Sequence, residues 1–324
     1  MQDTNSTVYS FADTEAWDRA VMNAYNLRSH HIKTGSGLIK LFSVPKTRGA
    51  VMSSAPYATD GGVLCGSNPS GSDVLQSIGD LYDSVMPQYI LFKTRKDQFS
   101  GLSDRIHVDK SYFTFTLDLT GGSDAVWKNA LCSSVRNHIR KAQTCNTESQ
   151  WGMAELLDDF YSVVCRCWRD LGTPVHSRAF FREIIESFGD QARLIVICLD
   201  KKPVSAGLLI IHQGTVFHPF SCTIQQYKSL SINSLMYWKI IEYACGQGIG
   251  TFDMGRSQLN QGTYTYKASW GAVPVQLYYS YYVQRKQDIP DLNGILVKAA
   301  VACWKLLPVP LTNRLGPALI KNVL

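Results

Sequence analysis

The apolar positions of this chain recur at two periods. In "YFTFTLDL" (112–119) aromatic and aliphatic side chains alternate with Thr and Asp, the pattern of a strand with one buried face. In "AELLDDFYSVVCRCWRDLG" (154–172), Leu157, Phe160, Val164, Trp168 and Leu171 fall at helical spacing, and Gly172 stands where a left-handed C-cap ends a helix. The same sorting predicts a helix over 12–28, with Trp17 and Tyr25 on its apolar side, and strands at 37–45 and 50–56. A Gly-rich loop over 57–71 precedes a helix over 72–86 and a strand at 88–95. After 112–119 comes one long helix over 123–143, opened by Ser123 or Asp124 as N-cap.

The second half is more regular. A helix over 178–189 leads to strands at 192–199 and 204–213, joined by a turn at "DKKP", and to a third strand at 215–223. A helix over 231–250 carries Leu235, Trp238, Ile241 and Cys245 on one side, and strands at 251–255 and 273–283 close the pattern. Helix, helix, three strands, helix, strand, loop, strand is an order that α/β acyltransferase domains have. The expected division is 1–150, 151–285 and a tail at 286–324. In that tail Ile295, Ala299, Ala302 and Leu306 form an apolar stripe beside Lys298 and Lys305, with Arg314 and Lys321 beyond. Two readings fit the segment 291–324: an amphipathic element on an anionic membrane, or a helix packed on the body.

Composition narrows the classes. With 45% hydrophobic, 11% aromatic and 18% charged residues the chain is a folding one. A net charge of +6 favours anionic substrates or an anionic membrane surface and is too small to argue for nucleic acid by itself. Nine cysteines occur with no Cys-x-x-Cys pair, which counts against zinc ribbons and thioredoxin-like sites and suits a reducing cytosol. No signal-peptide pattern and no run of 18 uncharged apolar residues occurs, so the expected location is cytoplasmic, with the tail allowing a peripheral place on the inner membrane face. Walker A, Gly-x-Ser-x-Gly and His-Glu-x-x-His motifs are absent, and no His/Cys set suggests a metal.

Three stretches carry candidate chemistry. In "VRNHIRKA", Arg136 and Arg140 share a helix face and suit a phosphate or carboxylate, or else form a solvated face. In "DLGTPVHSRAFF", Thr173 is a candidate hydrogen-bonder, Ser177 a cap, and His176 has no obvious partner. In "FDMGRSQLNQGTYTYKASWG" (252–271), Asp253 ends an apolar strand, where open α/β sheets hold their sites. Asp253 could orient Arg256 or act as acid/base; Arg256, Ser257 and Lys267 could hold anionic groups; Tyr264 and Tyr266 could line a pocket. A salt bridge pinning the loop, with the aromatics in the core, fits the same residues.

Taken in order, an Arg-x-x-Ile-Arg-Lys-Ala helix, a Leu-Gly-Thr-Pro turn, a Phe-Asp-x-Gly-Arg-Ser strand end and an aromatic-Lys-x-x-Trp-Gly segment resemble the FemAB-like proteins associated with PEP-CTERM/exosortase and exopolysaccharide loci, within the GNAT (acyl-CoA N-acyltransferase) superfamily. The resemblance spans about residues 10–285, and "LPVPLTNRLGP" in the tail is similar as well. It implies an α/β (α+β) fold of two tandem GNAT-like domains with mixed sheets flanked by helices. The implied activity is N- or O-acyl or aminoacyl transfer to a small-molecule or lipid-linked saccharide or peptide precursor of the cell envelope, of exopolysaccharide or peptidoglycan type. Lys267 matches the lysine of a Phe-Lys-x-x-Phe-Gly motif at the acceptor site of Fem proteins. On this reading Asp253 and Arg256 are catalytic, Arg136, Arg140, Thr173, Ser257, Tyr264, Lys267 and Trp270 bind substrate, and no metal is needed. The chain lacks the helical-hairpin insertion of many tRNA-using relatives and shows no clear Gln/Arg-x-x-Gly-x-Gly/Ala pyrophosphate loop. Acyl-CoA and aminoacyl-tRNA both therefore stand as donors, and a catalytically silent scaffold of a polysaccharide-synthesis system is the alternative.

Overall fold

The computed structural model describes residues 10–34, 37–46, 49–65, 71–291 and 294–322. The tip of the expected Gly-rich loop, 66–70, lies outside them. The chain forms two compact units: residues 1–113 with 276–292 and 321–324, and residues 114–275 with 293–320. The divisions fall at 113/114 and 275/276 rather than at the expected 150 and 285, because the chain leaves the first unit before 123–143 and returns to it after 275.

In the first unit, α1 (Glu15–Tyr25) is entered through Thr14, whose Oγ1 accepts from the Trp17 N–H, and left through Asn26 in the left-handed region. Then follow β1 (Arg28–Thr34), β2 (Gly37–Pro45), β3 (Ala50–Ser53), β4 (Val63–Cys65), α2 (Gly71–Val85), β5 (Ile90–Thr94) and β6 (Ile106–Asp109). Ile39, Leu41, Met52, Ile90 and Phe92 of the sheet close on Val74, Ile78 and Tyr82 of α2.

β7 (Tyr112–Asp118) carries the chain into the second unit. The expected helix over 123–143 is broken there: α3 (Gly122–Ala125) and a wide turn over 126–130 stop at extended Leu131 and Cys132 before α4 (Ser133–Gln143) begins. The Arg136 guanidinium holds the break, donating to the carbonyls of Trp127 (3.1 Å) and Leu131 (2.5 Å). Beyond it lie β8 (Thr147–Gly152), α5 (Leu157–Leu171), α6 (Arg178–Phe188), β9 (Ala192–Leu199), β10 (Lys202–His212), β11 (Thr215–Thr223), α7 (Ile232–Gly246), β12 (Thr251–Asp253), β13 (Ser257–Gln258), α8 (Gly262–Ala268) and β14 (Val273–Gln276). The sheet order is β13-β7-β12-β11-β10-β9-β8, with β14 on β7. β8 to β11 form an antiparallel meander; β11 and β12 are parallel, joined by α7 across one face.

The expected strand over 273–283 is split at Leu277, and its second half, β15 (Tyr278–Tyr282), inserts between β5 and β6. The first unit's sheet is thereby completed as β1-β2-β3-β5-β15-β6, with β4 on β2. The tail returns to the second unit as α9 (Ile295–Leu306) and α10 (Val309–Leu319), both packed on α5. Arg169 of α5 donates to the Leu307 carbonyl between them.

Candidate active site

The site starts from a mismatch in strand length. β12 pairs with β11 only from Thr215↔Thr251 to Phe217↔Asp253, whereas β11 runs on to Thr223. A bulge accompanies the separation: Leu208 opposes Phe220 while Ile210 opposes Phe217, so His218 and Pro219 of β11 together stand opposite the single residue Leu209. Proline cannot donate to the ladder, so a bulge is where a strand accommodates it. Past the bulge a cavity of about 640 Å³ opens. Its walls are Ser221, Cys222 and Thr223 of β11, Ser231, Asn233, Ser234 and Tyr237 at the start of α7, His138 and Lys141 of α4, Cys167, Asp170 and Leu171 of α5, and Thr263, Tyr266 and Lys267 of α8. The short turn before α7 adds Gln225, Lys228 and Ser229. Helix starts favour anions, and here a lysine and several hydroxyls stand around one.

Asp253 and Lys267 are joined through a backbone turn rather than directly. Asp253 Oδ1 accepts from Thr114 Oγ1 at 2.6 Å and from the Gly255 N–H at 2.8 Å. That fixes Gly255 at φ +75°, a conformation a residue with a Cβ adopts only under strain. The turn aims two carbonyls inward, and Lys267 Nζ donates to both, Gly255 at 2.7 Å and Arg256 at 3.0 Å. Lys267 is 6% exposed, and burial pushes its amine down to about 8; the Arg256 charge adds to this, and the Asp253 charge opposes it. Behind Tyr237, at 5.1 Å between rings, His218 is buried with neither ring nitrogen hydrogen-bonded. Burial, then the Lys267 charge, lowers its pKa to about 3, so it is neutral. Ser257 Oγ is buried with no hydrogen-bond partner.

The other predicted residues are distributed as follows. Arg136 braces the helix break. Arg140 is exposed, lies over the Trp127 ring at 5.4 Å and donates to Asn137. Neither lines the cavity; on α4 it is His138 and Lys141, round the helix from them, that do. Thr173 follows the Gly172 cap, its N–H donating to the Trp168 carbonyl, and lies outside the cavity wall. Arg256 is exposed at the turn whose carbonyl holds Lys267. Tyr264 packs edge-on against Phe115. Trp270 is fully buried against Tyr237, and Gly271 beside it (φ +76°) lies so near Ala130 that a Cβ there would come within 2.6 Å of the Ala130 oxygen. The Trp-Gly pair thus seats on the helix break that begins α4, bringing together two stretches far apart in sequence. The cavity residues that sequence reasoning missed, Lys228, Ser231, Asn233 and Ser234, follow no recognised phosphate-loop pattern; their one signal is a polar, Gly-free run directly before an apolar helix.

Among the described residues no group of three or more His, Cys, Asp or Glu could hold a metal ion.

Residues 132–268 match the family model of the acetyltransferase (GNAT) domain, the stretch that carries every cavity wall. No curated protein matches the sequence. Among solved structures the chain is similar to FemX, at 12% identity and TM-score 0.62 over 87% of this chain and 94% of that one. It is also similar to the C-terminal domain of an Agrobacterium fabrum protein assigned as a lysylphosphatidylglycerol synthetase, at 12% identity and TM-score 0.58 over 93% of each chain. A third likeness is to a tandem GNAT protein from the clavulanic acid biosynthesis pathway, at 8% identity and TM-score 0.54 over 79% of this chain and 82% of that one. The fold is therefore the tandem GNAT-like one, two mixed sheets each flanked by helices.

Proposed function

We propose that the second unit is an acyl- or aminoacyltransferase acting on a cell-envelope precursor. One observation carries the reading: the cavity sets a buried, weakly basic amine, Lys267, on one wall and a cationic, hydroxyl-rich helix start on another. The helix start, with Lys228, Ser231 and Asn233, suits the phosphates that acyl-CoA and aminoacyl-tRNA share. Once neutral, the Lys267 amine has two N–H donors, both engaged by the Gly255 and Arg256 carbonyls, which leaves its lone pair toward the cavity. The acceptor's amine or hydroxyl attacks the donor carbonyl, forming the C–N or C–O bond. Its proton passes to Lys267, the bond to the thioester sulfur or ester oxygen breaks, and the proton goes on to that leaving atom. Asp253 is a positioning residue in this scheme, acting through the turn at Gly255.

FemX and the lysylphosphatidylglycerol synthetase domain support an envelope-type acceptor through their fold, and the ordered motifs support the PEP-CTERM and exopolysaccharide-associated type. The eight cysteines from Cys132 to Cys303 are free, which supports a reducing, cytoplasmic setting. The test is transfer by the purified chain from acyl-CoAs and aminoacyl-tRNAs to lipid- and nucleotide-linked saccharide and peptide acceptors, with mass spectrometry of precursors from cells with and without the protein. Lys267→Met should lower kcat/KM by about 10²–10⁴, the usual contribution of a general base. No transfer with either donor class, together with identical precursor masses, would overturn the reading in favour of a silent scaffold.

A further inference from the structure

The tail helix α9 shows the wrong side to water. It packs on α5 with Trp304 buried, and Val301 lies close enough to Gly172, the cap of α5, that a Cβ there would collide with it. Half a turn round from Trp304 lies the stripe of Ile295, Ala299, Ala302 and Leu306, and every one of the four is exposed, Ile295 at 83% and Leu306 at 84%. Leu296 adds a further 82%-exposed side chain beside it. A helix held to the body by one edge normally turns polar residues outward. Here the outward face is the apolar one.

Charge identifies what covers it. Lys298 and Lys305 flank the stripe, both exposed. From Leu292 to Leu324 the chain has Lys298, Lys305, Arg314 and Lys321 and no Asp or Glu. On α10, Leu311, Leu315 and Leu319 recur at one-turn spacing, each about 40% exposed, with Arg314 beside them. Exposed apolar side chains with cations beside them and no anions suit a bilayer whose surface is negative. A second copy of the chain would bring these same cations against each other. A stripe on one 12-residue helix is also narrower than the roughly 800 Å² each partner of a stable dimer covers. No helix among the described residues is long and apolar enough to cross a membrane, so the contact is one of lying on the surface.

We propose that α9 and α10 form an interfacial docking surface for an anionic lipid bilayer, with Ile295, Leu296 and Leu306 entering the headgroup–acyl boundary and Lys298 and Lys305 meeting lipid phosphates. The surface borders the cavity: Leu171, which lines the cavity and is 57% exposed, precedes Gly172, against which α9 packs. The docking itself does not depend on the reaction proposed above.

The test is sedimentation of the full chain with vesicles of phosphatidylcholine alone and of phosphatidylcholine mixed with phosphatidylglycerol. Binding is expected to the mixed vesicles and to fall steeply with salt. Ile295→Asp with Leu306→Asp should weaken it by about tenfold or more, and Lys298→Glu with Lys305→Glu should abolish the preference for anionic lipid. All four positions are exposed, so thermal unfolding should be unchanged in both pairs. Absence of binding to anionic vesicles, or binding indifferent to both pairs, would overturn the proposal. So would a dimer in light scattering that the aspartate pair converts to monomer while vesicle binding persists.

Discussion

A buried lysine held by two carbonyls is a residue whose titration can be followed. Lys267 has its pKa lowered to about 8, chiefly by burial. Transfer should therefore rise with pH through about 8, and the limb should vanish in Lys267→Met. Asp253 holds that value up, so Asp253→Asn, which keeps an acceptor for Thr114 and Gly255, should move the limb to lower pH in a pH–rate profile. The same shift has a sign in stability. Between about pH 8 and 10.5 the unfolded chain keeps the lysine proton and the folded chain has lost it, so wild type should gain on Lys267→Met as pH rises. The gain is on the order of 3 kcal/mol across that window, readable by urea titration. His176 runs the other way. It is wholly buried among Trp168, Phe180, Phe181 and Phe220, and burial lowers its pKa from 6.5 to about 3. Below pH 6.5 the unfolded state takes up a proton that the folded state refuses, so stability falls with pH down to about 3. His176→Phe should flatten that loss by about 2–3 kcal/mol at pH 4.5 in denaturant titrations. In sequence this histidine had no visible partner, because the rings around it come from three separate elements.

Among the elements, the contrast lies between those whose burial follows their own sequence pattern and those whose ends are fixed from elsewhere. α5 and α6 follow their helical period because each has one face on the core, whereas β9 and β10 stand out as continuous apolar runs because both of their faces are buried. The stretch 123–143 has no helix-breaking residue after Gly122, so nothing local marks the stop at Leu131; it comes from Leu131 entering the core and from Gly271 pressing on Ala130. β1, "RSHHIKT", shows almost no apolar alternation and is a strand by pairing with β2 along its whole length. α10 depends on close approach: a Cβ on Gly316 would come within 2.9 Å of the Val175 backbone. Gly316→Val should cost about 1–3 kcal/mol in a thermal or urea melt and open the 307–310 link to limited proteolysis.

For the whole molecule, the consequence of two units is that distant residues share a sheet. Ser280 of β15 is fully buried and stands opposite Phe92 on one side and Val108 on the other. Ser280→Pro should remove ladder hydrogen bonds on a central strand at a cost of about 3 kcal/mol or more. Hydrogen exchange should then rise in β5 and β6, more than 170 residues away in sequence, before it rises in the meander β8 to β11. By itself the sequence determined the strongly periodic elements and the mixed α/β class, and it offered 252–271 as a candidate stretch, since these rest on local spacing and on residue types next to one another. Only the tertiary structure decided that His138 and Lys141 face the cavity while Arg136 and Arg140 do not, because the apolar face of Val135, Ile139 and Ala142 fixes which side of α4 packs inward and not which of its polar neighbours meets a cavity. It also decided that Asp253 reaches Lys267 through the Gly255 turn, and that the stripe of Ile295 and Leu306 faces outward. Each of these is set by which surfaces remain after the core has closed, and no window of sequence contains that information.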